Sequence, residues 1–300
     1  MRNRIAKEIG FSSYPDLVLE TDEIEKKSLI KLLNQYLNKN LPKAKEIIKK
    51  YNISWENWFV DLEKIGFINT TYSPIEFIDR LFKILGLEDL KNTIKVTIKE
   101  EWYAGFAAAL SPTDVRIVVK PIKSLRNLKV LFHEIGHAIM YSLNEQEGLY
   151  RVLPASLDEA MAVVMECIAS ELLLSELERE KVYEIIVLEY TLFAISALFE
   201  FELWDNPYKA EELYIKHYSK LGIKIDDPCI WAFDSFRSID PVYIQNYVIG
   251  AVLAEKLMEY FYDKYSNKYK EWGNWLYKNI YLDGRKRSFK EKVKALDNFI

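Results

Sequence analysis

The chain has 300 residues, of which 50% are hydrophobic and 29% charged, enough apolar material for a large core and too little bias for disorder. Its 41 basic and 45 acidic side chains leave a net charge of −4, with no basic surplus to neutralise a phosphate backbone, which argues against nucleic acid as a partner. Two cysteines, Cys167 and Cys229, are too few and too far apart for a disulfide framework and read as reduced thiols of the core.

The opening, MRNRIAKEIGFSSYPD, is basic but has no apolar run of secretory length, and no later segment is read as reaching the roughly 18–20 apolar residues that span a bilayer. The most apolar stretch, YTLFAISALFEFELW, is broken by Glu200 and Glu202. A soluble, cytoplasmic protein without membrane contact is the expectation.

From about residue 23 to 85 the period is helical: TDEIEKKSLIKLLNQYLNK, then LPKAKEIIKKY after Pro42, then SPIEFIDRLFKILG. The last has a clear start, with Ser73 as cap, Pro74 in the first turn and Glu76 closing a capping box, and Gly86 suits its end. The period then changes to that of strands: 93–100 alternates apolar and polar residues, 104–110 is short with small residues, and 114–120 is β-branched. Helices are expected again at 124–143, 156–178, about 180–203, 208–221, 241–264, 267–281 and 288–298. The predicted class is mainly α with a small β-sheet (α+β). With no repeat or flexible linker, the change of pattern near residue 88 separates an N-terminal helical lobe (1–88) from a second unit (89–300).

Two of the three histidines stand in FHEIGHAIM, residues 132–140. His133 and His137, four apart in a helical pattern, project from one face one turn apart, the geometry for two imidazoles on one zinc ion. Glu134 lies about 100° round the helix, placed to reach a metal-bound water but not to ligate, which suits a general base. Gly136 gives room for close approach.

Catalytic zinc takes three protein ligands and keeps a fourth position open. A third histidine six residues after His137 would fit one class, but that position is Leu143; shorter carboxylate spacings meet Ser156 and Leu157. The next candidates lie in LPASLDEAMAVVMECIASELLL. Glu159, 22 residues past His137, is assigned as the ligand, and Glu166, seven further on the same face, as a partner accepting a hydrogen bond from a ligand histidine or a polar neighbour. Asp158 is the substitute, because Ser156 and Glu159 also read as a capping box that would claim the Glu159 carboxylate.

HEIGH followed by a helix of the form E-x6-E resembles the zinc oligopeptidases of the thimet oligopeptidase and oligopeptidase F group. RIVVK before the histidine helix resembles that family's edge strand, and DPVYIQNYVIG (240–250) resembles its downstream helix, where tyrosines precede a glycine. The resemblance covers roughly residues 95–265 and implies a zincin-like metallopeptidase core holding one zinc ion through His133, His137 and Glu159. It implies Glu134 as general base, and Tyr247 or Tyr243 as the group that holds the developing oxyanion. Family members are about twice this length, the histidine-to-glutamate spacing here is slightly shorter, and a histidine often carried before the tyrosine helix has no equivalent in WAFDSFRSIDP. Arg237 stands in that neighbourhood as another donor. His217, on a charged helix, reads as a surface or lightly packed residue.

The expected function is zinc-dependent hydrolysis of short or unfolded peptides. The ion lowers the pKa of a bound water toward about 7, and Glu134 takes the proton and returns it to the leaving amine. An extended peptide is expected to pair with strand 115–120. The alternative is a zinc-binding protein that holds a peptide or partner without hydrolysing it.

Overall fold

The structure, a computed structural model, describes residues 1–68, 72–101 and 103–294. Its N-terminal helices are α1 (Arg2–Glu8), α2 (Tyr14–Thr21), α3 (Lys26–Tyr51), α4 (Trp58–Lys64) and α5 (Pro74–Leu85). Strands β1 (Ile94–Ile98), β2 (Gly105–Ser111) and β3 (Asp114–Val119) follow. The remaining helices are α6 (Leu125–Leu143), α7 (Ala155–Leu173), α8 (Glu176–Asp205), α9 (Ala210–Tyr218), α10 (Ser235–Ser238), α11 (Gln245–Tyr265), α12 (Tyr269–Leu276) and α13 (Phe289–Lys292). The mainly α architecture with a small sheet is the class expected from the sequence.

Helix α7 is the centre. It is buried on nearly every face, as a helix apolar all round must be, and α6 and α11 pack along its two sides. Two glycines permit this closeness. A Cβ at Gly136 of α6 would meet Ala162 Cα at 2.6 Å and Met161 O at 3.0 Å, and one at Gly250 of α11 would meet Val163 Cβ at 2.8 Å and Ala160 Cα at 3.0 Å. The backbones can therefore approach until the polar side chains of α6, α7 and the start of α11 converge. Helix α8 packs against α3, α9, α11 and α6, while α5 lies on α7 and α12. One continuous apolar cluster runs from Leu19 to Val293.

Several expectations need correction. Pro42 does not separate two helices: α3 runs 26 residues through it, held by packing along α8 despite the missing backbone donor. The break between α7 and α8 falls at Leu174–Ser175, where Ser175 and Glu178 form a capping box, earlier than the pattern suggested. The predicted helix at 288–298 is helical at Phe289–Lys292, and residues 295–298 lie outside the described residues. The strand order is β1-β3-β2, with β1 parallel and β2 antiparallel to β3. RIVVK is thus in the central strand, with both edges taken, and no peptide can pair with it. By length and composition α8 could cross a membrane, contrary to expectation, but 78% of its most apolar window is buried inside the protein, which makes it a core helix here. Cys229 is exposed instead of being a core thiol, while Cys167 is partly buried.

Candidate metal centre

Along α6, Arg126, Lys129, His133, His137 and Tyr141 recur at three- and four-residue steps, so they form one polar stripe on an otherwise apolar helix. The stripe faces Asp158, Glu159 and Glu166 of α7. His133 Nε2 lies 3.2 Å from His137 Nε2 and 3.2 Å from Glu159 Oε2, and His137 Nε2 is 3.8 Å from Glu159 Oε1. All three side chains are buried, and one ligand atom from each falls within 4.8 Å of the others.

The donor set fits a cation. Each outer ring nitrogen is already committed: His133 Nδ1 is 2.7 Å from Glu166 Oε1 and His137 Nδ1 is 2.8 Å from Asp158 Oδ1. A neutral imidazole donating through Nδ1 presents a lone pair at Nε2. Two such lone pairs and a carboxylate therefore point at one small volume, and Glu159 Oε2 is buried without a well-directed hydrogen bond. With metal–ligand bonds of about 2.0–2.1 Å, two tetrahedral ligand atoms stand about 3.3 Å apart, close to the separations here. Without an ion, protons take its place. Burial opposes charge on His133, but Glu159 and Glu166 hold its pKa up at about 10. Burial likewise opposes charge on His137, which Asp158 and Glu159 hold at about 9. Burial raises the Glu159 carboxyl, yet the two imidazoles bring it down to about 2.

The competition for Glu159 between ligation and capping has a structural answer. Helix α7 begins after Pro154, so Ser156 is inside it, and its hydroxyl donates to Asp22 O at 2.7 Å. Asp22 instead caps the helix from the N-terminal segment, accepting from Ala155 N at 3.2 Å. Asp158, the alternative ligand, is occupied by His137 Nδ1 and by Tyr141 Oη at 2.7 Å.

Glu166 is where the sequence placed it, beneath His133, but its own support was missed. Tyr190 of α8 donates to Glu166 Oε2 at 2.5 Å, and Lys129 Nζ lies 3.1 Å from both Glu166 and Glu189. Arg126 Nε closes the chain at 2.7 Å from Glu189. Burial lowers the tendency of Lys129 to hold its proton, and the two glutamates more than restore it. The stripe 126, 129, 133, 137 was a legible signal for Lys129 and Arg126. Glu189 and Tyr190 carried none, because only the docking of α8 brings them in.

Glu134 is buried beside the histidines, its Cγ 3.1 Å from where a Cβ on Gly105 would stand, so the start of β2 lies against it. Burial raises its carboxyl above the ordinary range, against the pull of His133 and His137. Tyr243 donates its hydroxyl to Glu159 Oε1. The Tyr247 ring stacks on His133 with centroids 5.7 Å apart and lies edge-on to Tyr243 at 6.1 Å. The structure thus brings together His133, Glu134, His137, Glu159, Tyr243 and Tyr247, with Asp158 and Glu166 beside them. Arg237 is not among them: its guanidinium is bound to Asp234, Ser196 Oγ and Tyr218 Oη. His217 is buried, 3.2 Å from Glu202, not at the surface, because α9 turns it toward α8.

No protein-family model matches the sequence, and no curated protein matches it. Solved structures do. One provisionally described as an oligoendopeptidase F superposes with a TM-score of 0.78 at 13% identity, over 99% of this chain and 59% of its own. A PZ peptidase A with an inhibitor gives 0.74 at 14% identity, over 99% and 59%. The M32 carboxypeptidase of Deinococcus radiodurans R1 gives 0.71 at 15% identity, over 98% and 68%. The chain spans about three fifths of the length of the first two. It has the helical, zincin-like fold of these peptidase structures.

Proposed function

We propose that this chain is a metal-dependent peptidase, with one zinc ion held by His133, His137 and Glu159 and with short or unfolded peptides as substrates. The observation that carries the reading is the pair of imidazole Nε2 atoms facing Glu159 with both Nδ1 atoms already committed. When bound, zinc supplies Lewis acidity toward a peptide carbonyl and makes water a usable nucleophile near neutral pH. The protein's own residues do the rest. Glu134, whose burial keeps its carboxyl nearer neutrality, takes a proton from the attacking water and delivers it to the leaving amine. Tyr243, which donates to Glu159, and Tyr247, whose ring stacks on His133, are the donors for charge developing on the carbonyl oxygen.

The path of the peptide follows from the sheet. The free antiparallel edge is β2, whose first residue lies against Glu134. A peptide extended along β2 makes backbone hydrogen bonds and carries its carbonyls past the base, which favours chains without fixed structure. Residues 1–88 form the helical lobe beside residues 89–300, the catalytic unit.

The test is cleavage of a mixed pool of short peptides by the zinc-loaded protein, read by mass spectrometry beside Glu134→Gln. Cleavage confined to the wild type supports the reading. Equal product in both, or none in either with zinc bound, counts against hydrolysis and favours a site that only binds peptides.

A further inference from the structure

A cavity of about 390 Å³ opens between the 228–238 segment, α8, α9 and Trp55 and Trp58, within the range of about 300–1,000 Å³ typical of ligand pockets. Its far wall is Trp55, Trp58, Tyr214 and Tyr218, and its near wall includes Phe193 and Phe236. The near wall packs against the tyrosines of the candidate metal centre. Phe236 stacks on Tyr243 with centroids 6.0 Å apart and planes within 10°, and Tyr243 donates to Glu159. Phe193 lies 5.2 Å from Tyr247, which stacks on His133. Two layers of rings, Phe193 and Phe236 and then Tyr243 and Tyr247, lie between the cavity and the candidate ligands.

We propose that this cavity is a side-chain subsite that takes a large, uncharged aromatic side chain of a peptide bound at the metal centre. The proposal rests on the peptidase reading for its place beside the reacting bond. Three observations define the occupant. The lining rings present faces and edges to which an aromatic guest stacks. The guanidinium of Arg237 is neutralised by Asp234 and further bound by Ser196 and Tyr218, so it offers no free cation to an acidic guest. The remaining charge in the lining is the exposed Glu56, which repels a carboxylate. At the mouth, Phe233 is 86% exposed and Ile230 41% exposed, apolar surface that a seated aromatic ring would cover.

The experiment uses the 300-residue chain as the zinc-loaded Glu134→Gln variant and blocked pentapeptides: pentaalanine, and five versions with one phenylalanine moved through the positions. Dissociation constants are read from tryptophan fluorescence, since Trp55 and Trp58 line the cavity. At least one phenylalanine peptide is expected to bind about tenfold or more tightly than pentaalanine, and glutamate at that position is expected to abolish the gain. Phe233→Ala, an exposed change that leaves the core intact, and Ile230→Trp, which narrows the mouth, should each reduce the gap at least about threefold. Equal affinity for all the peptides overturns the proposal, as does a gap that neither variant changes. Wild-type cleavage of the same peptides separates the two readings. Phenylalanine-selective binding without cleavage leaves the subsite standing and removes the peptidase, whereas cleavage with no phenylalanine preference does the reverse.

Discussion

Gly136→Ala sets two effects of opposite sign against each other. In an exposed helix the change gains about 1 kcal/mol, because alanine has the higher helix propensity. At Gly136 the added Cβ would stand 2.6 Å from Ala162 Cα and 3.0 Å from Met161 O, backbone atoms of α7 that no rotamer change can move. The first contact is about 0.8 Å inside ordinary van der Waals distance, so α6 and α7 must separate, and overpacking of this kind costs about 1–3 kcal/mol or more. Overpacking wins. Separation also draws His133 and His137 away from Glu159, now 3.2 and 3.8 Å from it. Net destabilisation of the metal-free protein by up to about 2 kcal/mol is expected from these opposing terms, with zinc affinity at least about tenfold weaker. Urea denaturation and chelator competition measure the two. A variant at least as stable as the wild type, with unchanged zinc affinity, would refute the reasoning that helix approach sets the site.

Glu166→Gln removes the carboxylate that orients His133, and zinc affinity should fall about 10–100-fold; competition titration showing no change contradicts that role. Lys129→Met strands Glu166 and Glu189 as buried charges and should cost about 3–5 kcal/mol in denaturation, part of it recovered when Glu189→Gln is added. A loss below about 1 kcal/mol would mean the charges are relieved another way. Burial lifts Asp22 from 3.8 to about 6 against the bonds it accepts. Its folded form binds the proton more tightly, so this stabilisation is full below pH 3.8 and is lost as pH rises through about 6. Relative to wild type, metal-free Asp22→Asn should therefore gain up to about 3 kcal/mol between pH 4 and 7.5. An unchanged difference across that range would contradict the burial of a charged Asp22.

The candidate metal-binding group was legible because its parts are local. His133, Glu134 and His137 lie within five residues, and a helical period alone sets which of them share a face. Glu159 was harder, since a short pattern with Ser156 had two physical readings. The choice depends on Asp22, 133 residues away from Ala155, which caps α7 in place of Glu159. Strand order was misread for a related reason: periodicity places β3 in a sheet but does not say which strands flank it. The burial of His217 and the engagement of Arg237 depend on how α9 and the 228–238 segment pack on α8, and neither helix pattern nor composition encodes that contact. Pro42 shows tertiary packing overriding a local rule that normally ends a helix.

The most direct measurement is metal content and position in the protein purified without added metal. Elemental analysis should find one ion per chain, lost in His133→Ala, and anomalous diffraction at the zinc edge should place it among His133 Nε2, His137 Nε2 and the Glu159 carboxylate. No ion after zinc loading, or an ion elsewhere with these three side chains still bonded only to one another, would contradict the account.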